Sequence, residues 1–194
     1  MNVRKNIFAE LSRADYVTCL AILLVVNAFW IAWKGYYFVA ISLTFVSMYL
    51  DYLDGWLARK YGGSDYGKVL DSLYDIVGWV LFPALMINIF TEWKWYSIVI
   101  TSVFCVFAAL RLSRFTVTGY VENGNRNFIG MPVSYSRYPL LAVSLTGGTL
   151  SLMMIACMIP LMVSRTLFKK SPPVLMQINL LYAVIYLWLH LTQN

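Results

Sequence analysis

The sequence predicts an all-α fold, a polytopic bundle of transmembrane helices, and three observations carry that prediction. Of the 194 residues, 60% are hydrophobic and 12% are charged, whereas soluble domains carry about 25% charged residues. Apolar runs long enough to cross a bilayer, roughly 17–25 residues each, recur along the chain. Lys and Arg gather between those runs rather than within them. The net charge of +6 therefore reads as a topology signal and not as a nucleic-acid surface, and no RNA-type aromatic motif accompanies it. No repeat, linker or composition shift divides the chain, so a single membrane-embedded domain, 1–194, is expected.

Residues 2–14, NVRKNIFAELSRA, are charged and amphipathic and are expected to form an interfacial helix on the membrane surface. Six core spans follow, near 16–33, 36–61, 68–90, 95–114, 131–146 and 149–164, and a seventh C-terminal span is expected near 174–191. No small-residue cleavage site follows the first apolar run, so it is expected to remain as a span. A Gly-rich loop, GGSDYG, separates the second and third spans, and a polar loop, GYVENGNRN, follows the fourth. With the N-terminus in the cytosol, Arg4, Lys5, Arg13, Arg59, Lys60, Lys68, Arg111, Arg114, Arg126, Arg137, Arg165, Lys169 and Lys170 fall on or near the cytosolic side. Only Lys34 and Lys94 then face outward, beside the interfacial Trp30, Trp33, Trp93 and Trp95. Cys19, Cys105 and Cys157 lie singly in apolar runs without metal-ligand spacing and are expected to be buried small hydrophobes. His190, the single histidine, is expected at the far interface.

The chemistry is concentrated in DYLDGWLARKYGGSDYGKVLDSLYD, residues 51–75. Asp51 and Asp54 are three apart and Asp71 and Asp75 four apart, so each pair shares a helix face. The short loop between the helices brings both pairs to one cytosolic end. An ionised carboxylate at membrane depth costs on the order of 3 kcal/mol even on the lenient insertion scale, and four together also repel. Protonation or cations relieve that cost. Hard divalent ions such as Mg²⁺, Mn²⁺ or Ca²⁺ prefer all-oxygen sites, and four carboxylates suffice for two ions with a phosphate between them. A cation channel or transporter is the competing reading of such a cluster. Gly55 and Ala58 allow close approach beside the acids, Gly67 does so four residues before Asp71, and Arg59 is placed to meet a phosphate. Arg111 and Arg114, three apart at a cytosolic helix end, suit an anionic ligand, with Arg126 and Asn127 in the loop that follows.

This stretch resembles the signature of the CDP-alcohol phosphatidyltransferases, D-x-x-D-G-x-x-A-R, a spacer, then G-x-x-x-D-x-x-x-D, and every named position is filled. The spacer from Arg59 to Gly67 is seven residues where eight is usual. The resemblance implies transfer of a phosphatidyl group from a CDP-linked lipid to an alcohol, with release of CMP. It implies a binuclear Mg²⁺ or Mn²⁺ site (Ca²⁺ being a third choice) on Asp51, Asp54, Asp71 and Asp75, with Asp75 as base on the acceptor hydroxyl. It also implies CDP-lipid contacts from Gly55, Ala58, Arg59 and Gly67, and a homodimer in the cytoplasmic membrane. LDSLYDIVGWVLFPA, AALRLSRF, NFIGMPV and LMVSRTLFKK are similar to elements of the phosphatidylserine synthase branch. The expected acceptor is therefore L-serine and the donor CDP-diacylglycerol or a CDP-archaeol-like lipid. Inositol phosphate, glycerol phosphate or choline are the alternative acceptors. Arg111, Arg114, Asn127 and Arg137 are the expected acceptor- or lipid-phosphate-binding residues, Arg137 standing where small apolar residues are common in that branch.

Overall fold

A computed structural model describes residues 10–118, 121–122, 126–169, 177, 180–182 and 184–185. The expected interfacial helix over 2–14 falls mostly outside the described residues, as do His190 and most of the expected seventh span. The chain groups into two compact units, one of Met1–Tyr74 with Val174–Asn194 and one of Asp75–Pro173.

The first unit is built on a helical hairpin of α1 (Arg13–Trp33) and α2 (Tyr37–Tyr61), followed by α3 (Asp65–Tyr74). Ala14, Thr18, Ala21, Val25, Ala28 and Ala32 are the buried positions along α1 together with Asp15. Their alternating spacing of four and three is a heptad seam, and its small side chains let α2 approach closely. The buried residues of α2 include Ala40, Ile41, Thr44, Phe45, Ser47 and Met48. Ser47 donates to the Ala21 carbonyl across the hairpin (2.9 Å) and lies 2.8 Å from the hydroxyl of buried Tyr74 on α3. Tyr182, in the described part of the last segment, meets Phe45 edge-on at 5.8 Å. The outward face of α1 exposes Leu20, Leu23 and Val26, as suits a helix covered by lipid. Cys19 also lies on an exposed face, as does Cys157 in the second unit, so neither is the buried hydrophobe expected for it.

The second unit begins with a π-helical segment, Asp75–Leu81, continues through α4 (Phe82–Phe90) and turns into α5 (Trp95–Thr118). Pro83 explains part of this geometry. It has no N–H to give to the carbonyl four residues back, that of Trp79. The buried hydroxyl of Ser136 donates to that carbonyl instead. At the other end of α4, Asn88 donates to Thr101 (2.8 Å), Ser97 donates to Asn88 (2.6 Å), and Thr91 donates to Ser97 (2.8 Å). This buried polar network closes the turn between α4 and α5.

Among the described residues, three helical runs are long and apolar enough to cross a membrane: Arg13–Trp33, the continuous run Asp65–Phe90, and Trp95–Val117. α2 is as long but carries Asp51, Asp54, Arg59 and Lys60 in its second half. The expected fifth span starts instead as a 3₁₀ turn, Val133–Ser136, and its α-helix, α6 (Arg137–Thr146), is 10 residues long. At 1.5 Å per residue that helix covers about half of a hydrocarbon core of roughly 30 Å. α7 (Gly148–Val163) follows with 16 residues. A small antiparallel sheet completes the unit, β1 (Val121–Glu122), β2 (Arg126–Ile129) and β3 (Leu167–Lys169), in the order β1-β2-β3. Strands this short leave no periodic signal, so the sequence read them as loops.

Replacing Ser136 by Ala removes the hydroxyl that donates to the Trp79 carbonyl. A loss of about 1–3 kcal/mol is expected, read as a lower melting temperature in detergent with helical circular dichroism unchanged at 25 °C.

Candidate metal centre

Three of the four expected carboxylates converge in the first unit. Asp51 and Asp54 on α2 and Asp71 on α3 each offer an oxygen, and these oxygens all lie within 4.8 Å of one another. Asp54 is buried (4% exposed) and Asp51 half-buried. α2 ends at Gly62, whose positive φ of 90° turns the chain out of the helix. α3 then starts at Asp65, so three residues bring the two acidic faces together. Asp75, the fourth expected ligand and the expected base, is the first residue of the π-helical segment and belongs to the second unit.

Hard oxygen donors at this separation suit a divalent cation of the Mg²⁺ or Mn²⁺ type. The other expected residues of this stretch lie beside them. Gly55, Ala58 and Arg59 are on α2 and Gly67 is on α3. A Cβ at Gly55 would sit 3.3 Å from Nη1 of Arg59, so the guanidinium folds back over the glycine next to Asp54.

Two residues that sequence reasoning passed over, Asp15 and Thr18, stand behind the carboxylates. Thr18 donates its hydroxyl to Oδ2 of Asp54. Asp15 is 2% exposed, and its Oδ2 accepts from the Ser12 amide (2.6 Å) and the Ser64 hydroxyl (2.7 Å). The Ser64 oxygen in turn accepts from the Gly67 amide (2.9 Å). The available signal was a pair of polar residues three apart on the small-residue seam of an otherwise apolar helix. It was hidden because Asp15 sits where the amphipathic segment meets the first span.

The expected anion-binding residues all lie in the second unit. Arg111 on α5 is 4% exposed, with its guanidinium 5.3 Å from the Phe115 ring centroid and 5.1 Å from that of Phe128. Arg137, the first residue of α6, is 1% exposed and lies 5.0 Å from the Tyr138 ring. Arg114 is engaged differently: Nη2 donates to the carbonyls of Ile129 (2.8 Å) and Met162 (3.1 Å), and reaches Ser164 at 3.4 Å. It ties the end of α7 to β2. Asn127 pairs through its backbone with Lys169, and its side chain falls outside the described residues, as does that of Arg126.

Residues 11–191 match the family model described as CDP-alcohol phosphatidyltransferase. Archaetidylserine synthase of Methanothermobacter thermautotrophicus is 33% identical over 112 residues, 56% of this chain and 47% of that protein. The CDP-diacylglycerol–serine O-phosphatidyltransferase of Methanocaldococcus jannaschii is 35% identical over 127 residues, 62% of this chain and 54% of its own length. The protein of the same name from Bacillus subtilis is 31% identical over 134 residues, 66% of this chain and 73% of its own. The chain thus spans about half the length of the two archaeal relatives it matches.

A cation held by these oxygens stabilises the folded protein by mass action. Mn²⁺ at about a hundred times its dissociation constant is expected to add about 2.7 kcal/mol. Thermal unfolding in detergent reads this as a rise in melting temperature, absent from Asp51→Asn and Asp54→Asn.

Proposed function

Because the chain belongs to the CDP-alcohol phosphatidyltransferase family, we propose that it transfers a lipid phosphatidyl group from a CDP-linked lipid to the hydroxyl of L-serine and releases CMP. Enzymes of this family generally depend on divalent metal, and the apolar helices with the family match make the chain an integral membrane protein. The observation that carries the reading is the convergence of the Asp51, Asp54 and Asp71 oxygens within 4.8 Å, on helices that also bear Gly55, Ala58, Arg59 and Gly67. Serine as acceptor is supported by the names of the relatives. CDP-diacylglycerol and a CDP-archaeol-like lipid are the two candidate donors.

Asp51, Asp54, Asp71 and Asp75 would hold two ions, Mg²⁺ or Mn²⁺ with Ca²⁺ as a third choice, which when bound supply charge stabilisation at the phosphate and at departing CMP. Arg59, folded over Gly55, is positioned to meet the pyrophosphate, with Ala58 and Gly67 leaving room for the CDP group. Asp75 takes the proton from the serine hydroxyl as its oxygen attacks the β-phosphorus. The new P–O bond forms as the bond to the CMP oxygen breaks, and CMP leaves as the anion. Arg111 and Arg137 are the buried cations assigned to the serine carboxylate or the lipid phosphate, with Asn127 at the same mouth, while Arg114 holds the backbone around them. The chain works as one domain, 1–194, with a cytosol-facing site in the cytoplasmic membrane. It assembles as a homodimer.

Purified protein given CDP-diacylglycerol and Mn²⁺ is expected to release CMP when serine is added. Release driven by inositol phosphate, glycerol phosphate or choline but not serine would overturn the acceptor, and no release with any of them would overturn the transferase reading. Asp75→Asn is expected to lower the rate about 10²–10⁴-fold, and a chiral phosphate donor is expected to react with inversion.

A further inference from the structure

The first turns of α1 carry no position of the family signature, yet they hold two polar side chains, Asp15 and Thr18, bonded to the stretch that contains it. Thr18 is 3% exposed and anchored to its own helix by a contact with the Ala14 carbonyl (3.3 Å). Its hydroxyl nevertheless reaches across the hairpin to one oxygen of Asp54. A carboxylate bonded at one oxygen presents the other in a fixed direction, and such outer partners set the orientation and basicity of a metal ligand. Threonine suits this role: its branched side chain has few rotamers, and the packed seam holds it.

Asp15 acts on the other helix. Ser12 and Asp15 form a reciprocal capping box at the start of α1, which holds the carboxylate against its own helix. The same Oδ2 takes the Ser64 hydroxyl, and Ser64 takes the Gly67 amide. This chain of bonds runs from α1 to the first turn of α3, the helix that carries Asp71. Oδ1 of Asp15 occupies the space that a side chain at Gly67 would need, a Cβ there overlapping it. Gly67 is therefore required by the approach of Asp15, whatever else it touches.

We infer that Asp15 and Thr18 are positioning residues for the metal centre: Thr18 aims the Asp54 carboxylate, and Asp15, through Ser64 and Gly67, sets the start of the helix that carries Asp71. The inference rests on the metal site of the proposed function. Neither residue is among the three whose carboxylate oxygens converge.

Mn²⁺ titration of the detergent-purified protein, followed by the loss of the free-ion electron paramagnetic resonance signal, tests it without turnover. Thr18→Val keeps the shape and removes the donor; it is expected to weaken Mn²⁺ binding about tenfold or more. Thr18→Ser is expected to restore it to within about threefold, since the hydroxyl returns. A residue needed only for packing gives the opposite ranking, with Val near wild type and Ser impaired, and that result overturns the assignment. If Thr18→Val does not fold, Thr18→Ala against Thr18→Ser makes the same comparison. For Asp15, Gly67→Ala is expected to weaken Mn²⁺ binding about fivefold or more in the wild-type background and less than about twofold in Asp15→Ala, because neighbours in contact couple. Equal effects in both backgrounds overturn the Asp15 latch. Wild-type protein that binds no Mn²⁺ fails the metal reading itself, whereas wild-type binding left undiminished by Thr18→Val fails only the positioning role.

Discussion

Negative charge held at the ends of apolar helices is the constraint on which the rest of the first unit depends. Three carboxylate oxygens within 4.8 Å repel one another, most of all at buried Asp54, where little water screens the charge. Such a cluster persists only where the backbone gives the side chains no freedom to separate. The seam of Ala14, Thr18, Ala21, Val25, Ala28 and Ala32 supplies that rigidity. Its small residues bring α1 close enough to α2 for a threonine hydroxyl to reach Asp54. With larger side chains on the seam the helices would stand further apart, and the hydroxyl would fall short.

The same economy of polar groups governs the second unit, where the groups at stake are backbone carbonyls. Pro83 removes one helical donor, and the Ser136 hydroxyl replaces it at Trp79. Arg114 spends its guanidinium on the carbonyls where α7 ends and the chain enters β3. A polar backbone group left without a partner in an apolar setting costs several kcal/mol. Ser and Arg side chains near helix breaks are therefore accounted for by the carbonyls they reach. Arg114 reaches such carbonyls, and Arg111 and Arg137 are buried cations set against aromatic rings.

Helix boundaries and acidic spacing were legible because they are written in local periodicity. The expected spans at 16–33, 36–61 and 95–114 lie within or close to α1, α2 and α5, and the third lies inside the run Asp65–Phe90. The region from 119 to 136 was not legible. Its strands are two to four residues long and its first helical turn is 3₁₀, so neither carries a repeat to detect. Asp15 and Thr18 escaped for another reason: their partners lie 36 to 49 residues away along the chain.

By itself the sequence determined the helical membrane class, the shared face of Asp51 and Asp54 and the chemistry such acids suit. These follow from composition and from spacings of three and four, which act within one helix. The tertiary structure alone decided which side chains stand behind the acids and which cation serves the backbone. Asp15 beside Gly67, Thr18 on Asp54 and Arg114 on Met162 are contacts between distant segments, and helix packing distance, not local pattern, brings them within hydrogen-bonding range.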